Sequence, residues 1–174
     1  FPERDASAKL KVIGINRRFA DGSKRQVSGH KRGLTYAADW TDNAGPVVLV
    51  EGGSDTAAGL TLGLCTIGRP SNLAGVSFLL DLLAGCDRDI IVIGERDEKP
   101  DGTWPGREGA IKTAERLAAG LGRPISWALP PDGAKDLREW LQGHADCDGD
   151  EFVSQLDLQT IEVEAVEVPE VDDR

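Results

Sequence analysis

The chain has 174 residues, 40% hydrophobic and 29% charged, enough apolar content for one core of ordinary domain size. It contains no run of 18 apolar residues, so no membrane-spanning helix is predicted. The formal net charge of -10 argues, taken whole, against a phosphate-rich partner, but the charge is unevenly spread.

Residues 1–33 form a basic arm. It has nine basic side chains (Arg4, Lys9, Lys11, Arg17, Arg18, Lys24, Arg25, Lys31, Arg32) against three acids, a net of +6. Within residues 1–45, two short apolar pieces, Lys11–Asn16 and Gly33–Ala37, predict strands, with a turn at Asp21-Gly22 between them.

From Pro46 the pattern changes. Val47-Val-Leu-Val50 is a continuous apolar run, as expected of a strand buried on both faces. A helix follows, with Ser54 or Asp55 as its N-cap and Ala57, Leu60 and Leu64 at helical spacing. Leu64–Ile67 reads as a second strand. Pro70-Ser71 introduces a helix through Leu73, Val76, Leu79, Leu80 and Leu83. Asp89–Ile93 is a third strand, and a loop from Arg96 to Gly106 leads to a helix over Glu108–Leu121. Ile125–Leu129 is a fourth strand, followed by a Pro-Pro-Asp-Gly turn and a short helix over Lys135–Gln142. The order β-α-β-α-β-α-β-α predicts a mainly parallel four-stranded sheet flanked by helices.

Residues 144–174 carry eleven acids and one base, a net of -10. The alternation in Thr160–Val168 fits an edge strand, but Pro169 and the density of like charge favour a disordered linker. The domains predicted are therefore a basic extension (1–45), an α/β body (46–143) and an acidic tail (144–174). The sequence begins at Phe1 and lacks Met, which suggests a piece of a larger protein or a processed one. No signal segment opens it. Cys65, Cys86 and Cys147 form no CxxC pair, which argues against a zinc ribbon or a disulfide framework and for a reducing, cytoplasmic setting.

In parallel sheets, ligands bind at the carboxyl ends of the strands. Three such ends carry acids: Glu51 and Asp55 after the first strand, Glu95 and Asp97 after the third, Asp132 and Asp136 after the fourth. Clustered carboxylates repel unless a hard cation neutralises them, and Mg²⁺ suits oxygen ligands. Each acid taken alone also fits a helix cap or a solvated loop charge; the agreement of three strand ends is what favours a metal site.

These segments carry a resemblance. Val47-Val-Leu-Val-Glu-Gly-Gly-Ser-Asp55 resembles the first motif of the Toprim domain, an apolar strand ending in Glu-Gly-x-x-Asp. Ile90-Ile-Val-Ile-Gly-Glu-Arg-Asp97 is similar to its second motif, a strand ending in Asp-x-Asp. Leu129-Pro-Pro-Asp-Gly-Ala-Lys-Asp-Leu137 resembles the Pro-x-Gly-Lys-Asp segment of Toprim primases, both DnaG-type and phage primase-helicase enzymes. Gly106-Arg-Glu-Gly-Ala110 matches the Gly-Ala helix start that follows the second motif. The resemblance spans about residues 46–141. It implies a Toprim-like, Rossmann-like fold in which Glu51 is a general base or metal ligand, Glu95 and Asp97 bind metal, and Asp55 and Asp136 lie near the metals. Two departures stand out: Glu95 replaces the usual Asp, and an insertion runs from Glu98 to Pro105.

The same resemblance extends to the basic arm, whose Arg17-Arg18, Asp21–Lys24 and Gly29–Leu34 are similar to the portion preceding Toprim in primases of mobile elements. It implies primer synthesis with Mg²⁺ or Mn²⁺, a single-stranded DNA template, nucleoside triphosphates and a helicase, fused or separate. Arg17, Arg18, Lys24, Arg25, Lys31, Arg32 and Lys135 would hold phosphates. A solvated basic hairpin is the plainer reading of the arm. Of Trp40, Trp104 and Trp140, the loop residue Trp104 is the better candidate for stacking on a base, and Trp140 fits a core position. Two rival functions use the same acids or none: a Toprim nuclease of the overcoming-lysogenisation or small ribonuclease type, and a degenerate Toprim module that only binds nucleic acid or a partner.

Overall fold

The centre of the molecule is built by its most apolar segments. In the computed structural model, which describes residues 1–7 and 10–163, β4 (Val47–Glu51) and β6 (Ile90–Ile93) lie side by side with Val47 opposite Ile90 and Leu49 opposite Val92. Both are buried on two faces, which explains their lack of polar alternation. β5 (Cys65–Arg69) pairs with the other edge of β4, and β7 (Ile125–Ala128) with β6, all parallel. With β8 (Gln159–Ile161) at the far edge, the strand order is β5-β4-β6-β7-β8. The chain steps from β4 to β5 in one direction, then returns past β4 to β6. The order therefore reverses at β4, and the crevice at such a reversal is where open α/β sheets bind ligands.

Helices cover both faces. One face packs α2 (Val76–Leu83) and α3 (Pro105–Leu121) through Leu79, Leu83, Ala114 and Leu117 against Leu49, Ile67 and Val92. The other packs α1 (Gly52–Thr61), α4 (Leu137–Gly143) and α5 (Gly149–Ser154) through Ala58, Trp140 and Phe152 against Val48, Val50, Ile91 and Ala128. Trp140 is fully buried, as its helical position predicts, and Phe152 meets it edge-on at 5.0 Å.

Several local expectations differ. α1 begins at Gly52 with Glu51 at its N-cap and no side-chain cap, so Ser54 and Asp55 sit inside the first turn. Gly52 adopts φ +76°, a left-handed turn that swings the chain from strand into helix within one residue. α2 starts at Val76 after the left-handed Gly75, and Leu73 stays outside it, exposed. The sheet has a fifth strand, β8, antiparallel to β7 with Ile161 opposite Ile125. Residues 149–161, expected within an irregular acidic tail, thus contain a helix and an edge strand. The apolar residues decide this: Phe152 enters the core and Ile161 packs on it, while the acids Asp150, Glu151 and Glu162 are exposed. The rest of the acidic tail, from Glu164 and including Pro169, lies outside the described residues.

The N-terminal extension is a three-stranded antiparallel sheet of β1 (Pro2–Arg4), β2 (Val12–Arg18) and β3 (Lys24–Gln26). Gly22 turns β2 into β3, so the predicted turn joins neighbouring strands of the arm. Gly33–Ala37 is a bridge between sheets: Leu34 pairs with Arg4 and Thr35 with Gly68 of β5. Glu3 is only 2% exposed and accepts hydrogen bonds from Arg32 Nε (3.0 Å), the Gly33 N–H (3.3 Å) and Gln26 Nε2 (3.4 Å). One buried acid thereby ties the segments of the basic arm to one another, while the Thr35–Gly68 bridge and the Arg32 bond to the Pro70 carbonyl join the arm to the body.

Candidate metal centre

Three strand ends deliver acids to one place. Asp55 comes from the first turn of α1 after β4, Glu95 from the residue two past β6, and Asp136 from the N-cap of α4 after β7. One carboxylate oxygen from each lies within 4.8 Å of the others. Asp55 is 3% exposed and Asp136 5%, while Glu95 is half-buried. Close packing makes the convergence possible. A Cβ on Gly106, at the start of α3, would stand 2.7–2.9 Å from Glu95 Cβ and backbone, so only glycine lets the helix approach this strand end.

The cluster is electrostatically unbalanced without a cation. Burial pushes the Asp55 carboxyl up to about 7, and the nearby Asp136 and Glu95 charges push the same way; Arg138 and Lys24 oppose them. Burial also raises Glu95, with Glu51 and Asp136 adding to it and Lys135 and Lys24 opposing. Asp55 Oδ1 is buried with no hydrogen-bond partner among the described residues. An orphaned carboxylate oxygen beside two more carboxylates offers an all-oxygen donor set that could hold a hard metal ion.

The other predicted acids sit at the margin of this group. Glu51 ends β4, half-buried, and its charge acts on Glu95 and on Arg69. Asp97 accepts the Gly106 N–H at 2.8 Å, at the N-terminus of α3, and pairs with Lys99 at 3.5 Å. Asp136 also serves the helix it begins. Its Oδ1 accepts the Glu139 N–H (2.8 Å) and caps α4, and its Oδ2 pairs with Arg138 at 3.2 Å.

Arg69 is a site residue that the sequence pattern did not single out. It ends β5 and is 1% exposed. Its guanidinium donates to Asn72 O (2.7 Å), Thr113 Oγ1 (3.0 Å) and Ile93 O (3.1 Å). Burial draws its pKa down to about 10, countered by the Glu51 and Glu95 charges, so it remains a cation at neutral pH. A fork of donors ties three elements under the strand ends. The only signal in the sequence is one basic residue closing the run Cys65-Thr-Ile-Gly-Arg69 before a proline.

The cations of the arm divide into two sets. Lys24 bears on both Asp55 and Glu95, and Arg18 donates to Ser54 Oγ (3.1 Å) in the first turn of α1. With Arg32 and the Glu51–Ser54 turn they line a narrow cleft of about 40 Å³. Arg32 is already engaged, by Glu3 and by the Pro70 carbonyl. Arg17 and Arg25 flank Phe19 at 5.6 and 5.9 Å, exposed on the hairpin, and Lys31 is exposed beyond them. Lys135 is exposed beside Asp136 and opposes the rise in the Glu95 pKa. Trp40 is buried against Tyr36, which removes it as a base platform.

No protein-family model matches the sequence, and no curated protein matches it either. Solved structures do. The catalytic core of the Escherichia coli primase matches 93% of this chain and 52% of its own length, at 20% identity and a TM-score of 0.65. A DnaG primase catalytic domain bound to single-stranded DNA matches 90% of this chain and 50% of its own, at 20% identity and a TM-score of 0.62. The primase fragment of the bacteriophage T7 primase-helicase matches 88% of this chain and 60% of its own, at 22% identity and a TM-score of 0.55. The chain has the fold of a primase catalytic core. It spans about half the length of the DnaG structures it matches. The match includes the antiparallel extension as well as the α/β body, since it reaches 93% of the chain. Among the described residues, no helix is long and apolar enough to cross a membrane.

Proposed function

We propose that this chain is the catalytic part of a DNA primase, joining ribonucleotides on a single-stranded DNA template. The observation that carries the reading is the convergence of Asp55, Glu95 and Asp136 from three strand ends within a primase-core fold. Asp55, Glu95 and Asp136, with Glu51 beside Glu95 and Asp97 at the α3 N-terminus, would hold Mg²⁺ or Mn²⁺. When bound, the divalent cation supplies positive charge to the triphosphate and to the attacking 3′ oxygen. Lys24, Arg18 and Lys135 would draw nucleotide or template phosphates toward the acids, and Arg17, Arg25 and Lys31 would extend that field along the hairpin. Glu51, half-buried at the strand end, would serve as the general base for the 3′ hydroxyl.

In this reading, residues 1–45 and 46–143 act together as one catalytic unit, in a cytoplasmic protein of a mobile element or its host that works with a helicase. The DnaG structure bound to single-stranded DNA and the T7 fragment of a primase-helicase support that assignment of partners. The test is incorporation of labelled ribonucleotide on single-stranded DNA with Mg²⁺ or Mn²⁺. The wild type is expected to extend primers, and an Asp55→Asn, Asp136→Asn double variant to lose about 100-fold or more of that rate. Cutting of the template without incorporation makes the protein a Toprim nuclease. Neither reaction, with Mn²⁺ binding equal in wild type and variant, leaves only a binding module.

A further inference from the structure

A second pocket is lined by Arg96, the residue after Glu95. It has a volume of about 360 Å³, within the range of small-molecule sites, and opens at the carboxyl end of β7 on the α3 face of the sheet. Two half-buried indoles line it. Trp104 stands at the N-cap of α3, where its backbone N–H donates to Glu108 Oε1 at 3.3 Å, and Trp127 comes from β7. The exposed Arg107 guanidinium lies 5.9 Å from the centroid of each ring. Arg96 completes one wall. Its Nε and Nη2 donate to Pro130 O (3.1 and 3.0 Å) and its N–H to Lys135 O (2.8 Å), which fixes it between Glu95 and the β7 end. Gln159, the first residue of β8, and Asp157 just before it also line the pocket.

Trp127 borders the α3-side core, and Trp104 lies outside it. The other two tryptophans, Trp40 and Trp140, are buried; Trp104 and Trp127 are the ones that keep a face toward solvent. Two partly exposed aromatic planes with an arginine between them form a surface for a flat π-system carrying negative charge. Bases stack on indoles with little regard to sequence, and an arginine can pair with the phosphate or stack in turn. The position agrees with the chemistry. Arg96 follows Glu95 and Leu129 follows the end of β7, so the pocket and the acids share the carboxyl end of the sheet.

We propose that Trp104, Trp127, Arg107 and Arg96 form a subsite for an unpaired nucleobase and its phosphate, separate from the acid cluster. The subsite deepens the primase reading, since it would anchor a single strand, or the base of an incoming nucleotide, beside the cation. It does not depend on catalysis.

The test uses fluorescence anisotropy with two probes, a labelled oligothymidylate and a labelled mononucleotide, at fixed salt. Trp104→Ala and Trp127→Ala are each expected to weaken the probe that uses the pocket by about 5- to 150-fold, the range for losing one stacked base. Trp104→Phe, which keeps a ring, is expected to restore most of it, which sets stacking apart from misfolding. Loss with the oligomer assigns the subsite to the strand, and loss with the mononucleotide assigns it to the substrate. Wild-type binding of both probes by both alanine variants overturns the proposal. Where the oligomer is the probe that is lost, equal binding of an abasic oligomer by the wild type overturns it too. Asp55→Asn is expected to leave oligomer binding intact while abolishing incorporation. If the wild type shows no incorporation but the tryptophan variants still lose binding, the primase reading falls and the subsite stands.

Discussion

The acid cluster and the basic arm sit side by side and are built in opposite ways. The acids are few, mostly buried, and fixed by the backbone of three strands and the helices that follow them. The cations are many, mostly exposed, and carried on a hairpin that meets the body through the Thr35–Gly68 bridge and the side chains of Arg18 and Arg32. A buried carboxylate must be oriented by the fold and is costly when left uncompensated. An exposed lysine interacts through a screened field and tolerates displacement. The geometry of the site therefore belongs to the parallel sheet, while attraction of a polyanion belongs to the arm. Substitutions should separate the two.

The largest effect is expected at Arg69, which supports the acid side from beneath. Removing it leaves the carbonyls of Asn72 and Ile93 and the Thr113 hydroxyl without their donor, and takes a cation from beside Glu51 and Glu95. Arg69→Ala is expected to destabilise the protein by about 2–4 kcal/mol, read as a lower urea midpoint at unchanged slope. Arg69→Lys should recover little, because an ammonium cannot reproduce the planar fork that reaches three acceptors. Full recovery by lysine would mean that charge alone matters there and that the fork does not position the strand ends.

Asp55 comes next, and its effect depends on pH. In the fold its carboxyl is pushed up to about 7, against an ordinary value near 3.9 in the unfolded chain. Between those values the folded protein holds a proton that the unfolded chain has released. Its contribution to stability is thus fully present below about pH 4 and is lost as pH rises through 7. The metal-free protein should lose stability from pH 5 to pH 8, and Asp55→Asn should remove most of that slope. At pH 8 the variant should be more stable than wild type, by up to about 4 kcal/mol. Mn²⁺ competes with the same proton, so its affinity should rise as pH goes from 6 to 8 in wild type, measured by calorimetry, and remain weak in the variant. A flat stability profile in the metal-free wild type would contradict the picture of a carboxylate awaiting a cation.

How much of this was legible beforehand depended on whether neighbours or distance decided the outcome. Val47–Val50 and Ile90–Ile93 could only be doubly buried strands, and the acids that follow each of them were visible as strand-end acids. Which three of the five candidate acids come closest together was not visible. That depends on the turn at Gly52, which carries Asp55 inward on α1, and on Gly106, which brings α3 against Glu95 and leaves Asp97 facing the helix N-terminus. Arg69 and β8 escaped for a related reason. An arginine closing an apolar run looks like a strand end at the surface, and Gln159–Ile161 looks like part of an acidic tail. Only the hydrogen bond from Arg69 to Thr113 and the pairing of Gln159–Ile161 with β7 reverse those readings.

The smallest expected effect lies at Lys24 and Arg18, and it tests the division between the two regions most directly. Both are exposed, so replacing either with alanine should change stability by less than about 1 kcal/mol. Lys24 is nevertheless the arm's cation whose charge acts on both Asp55 and Glu95, and Arg18 touches the α1 turn through Ser54. Lys24→Ala should therefore weaken single-stranded DNA binding a few-fold at low salt, with a shallower dependence of affinity on salt by about one counterion. It should also raise the Asp55 carboxyl further, because an opposing positive charge has gone. Two consequences for Mn²⁺ then oppose each other. Loss of a like charge favours the cation, while the higher carboxyl pKa sets a stronger competing proton against it. The affinity at pH 7 should change little, and the rise in affinity with pH should move to higher pH. Arg17→Ala and Arg25→Ala, flanking Phe19 away from the acids, should change the salt slope similarly and leave Mn²⁺ affinity and its pH dependence as in wild type. If all four alanine variants shift the Mn²⁺ profile equally, the arm acts on the acids as one diffuse field and Lys24 has no special place in the cleft.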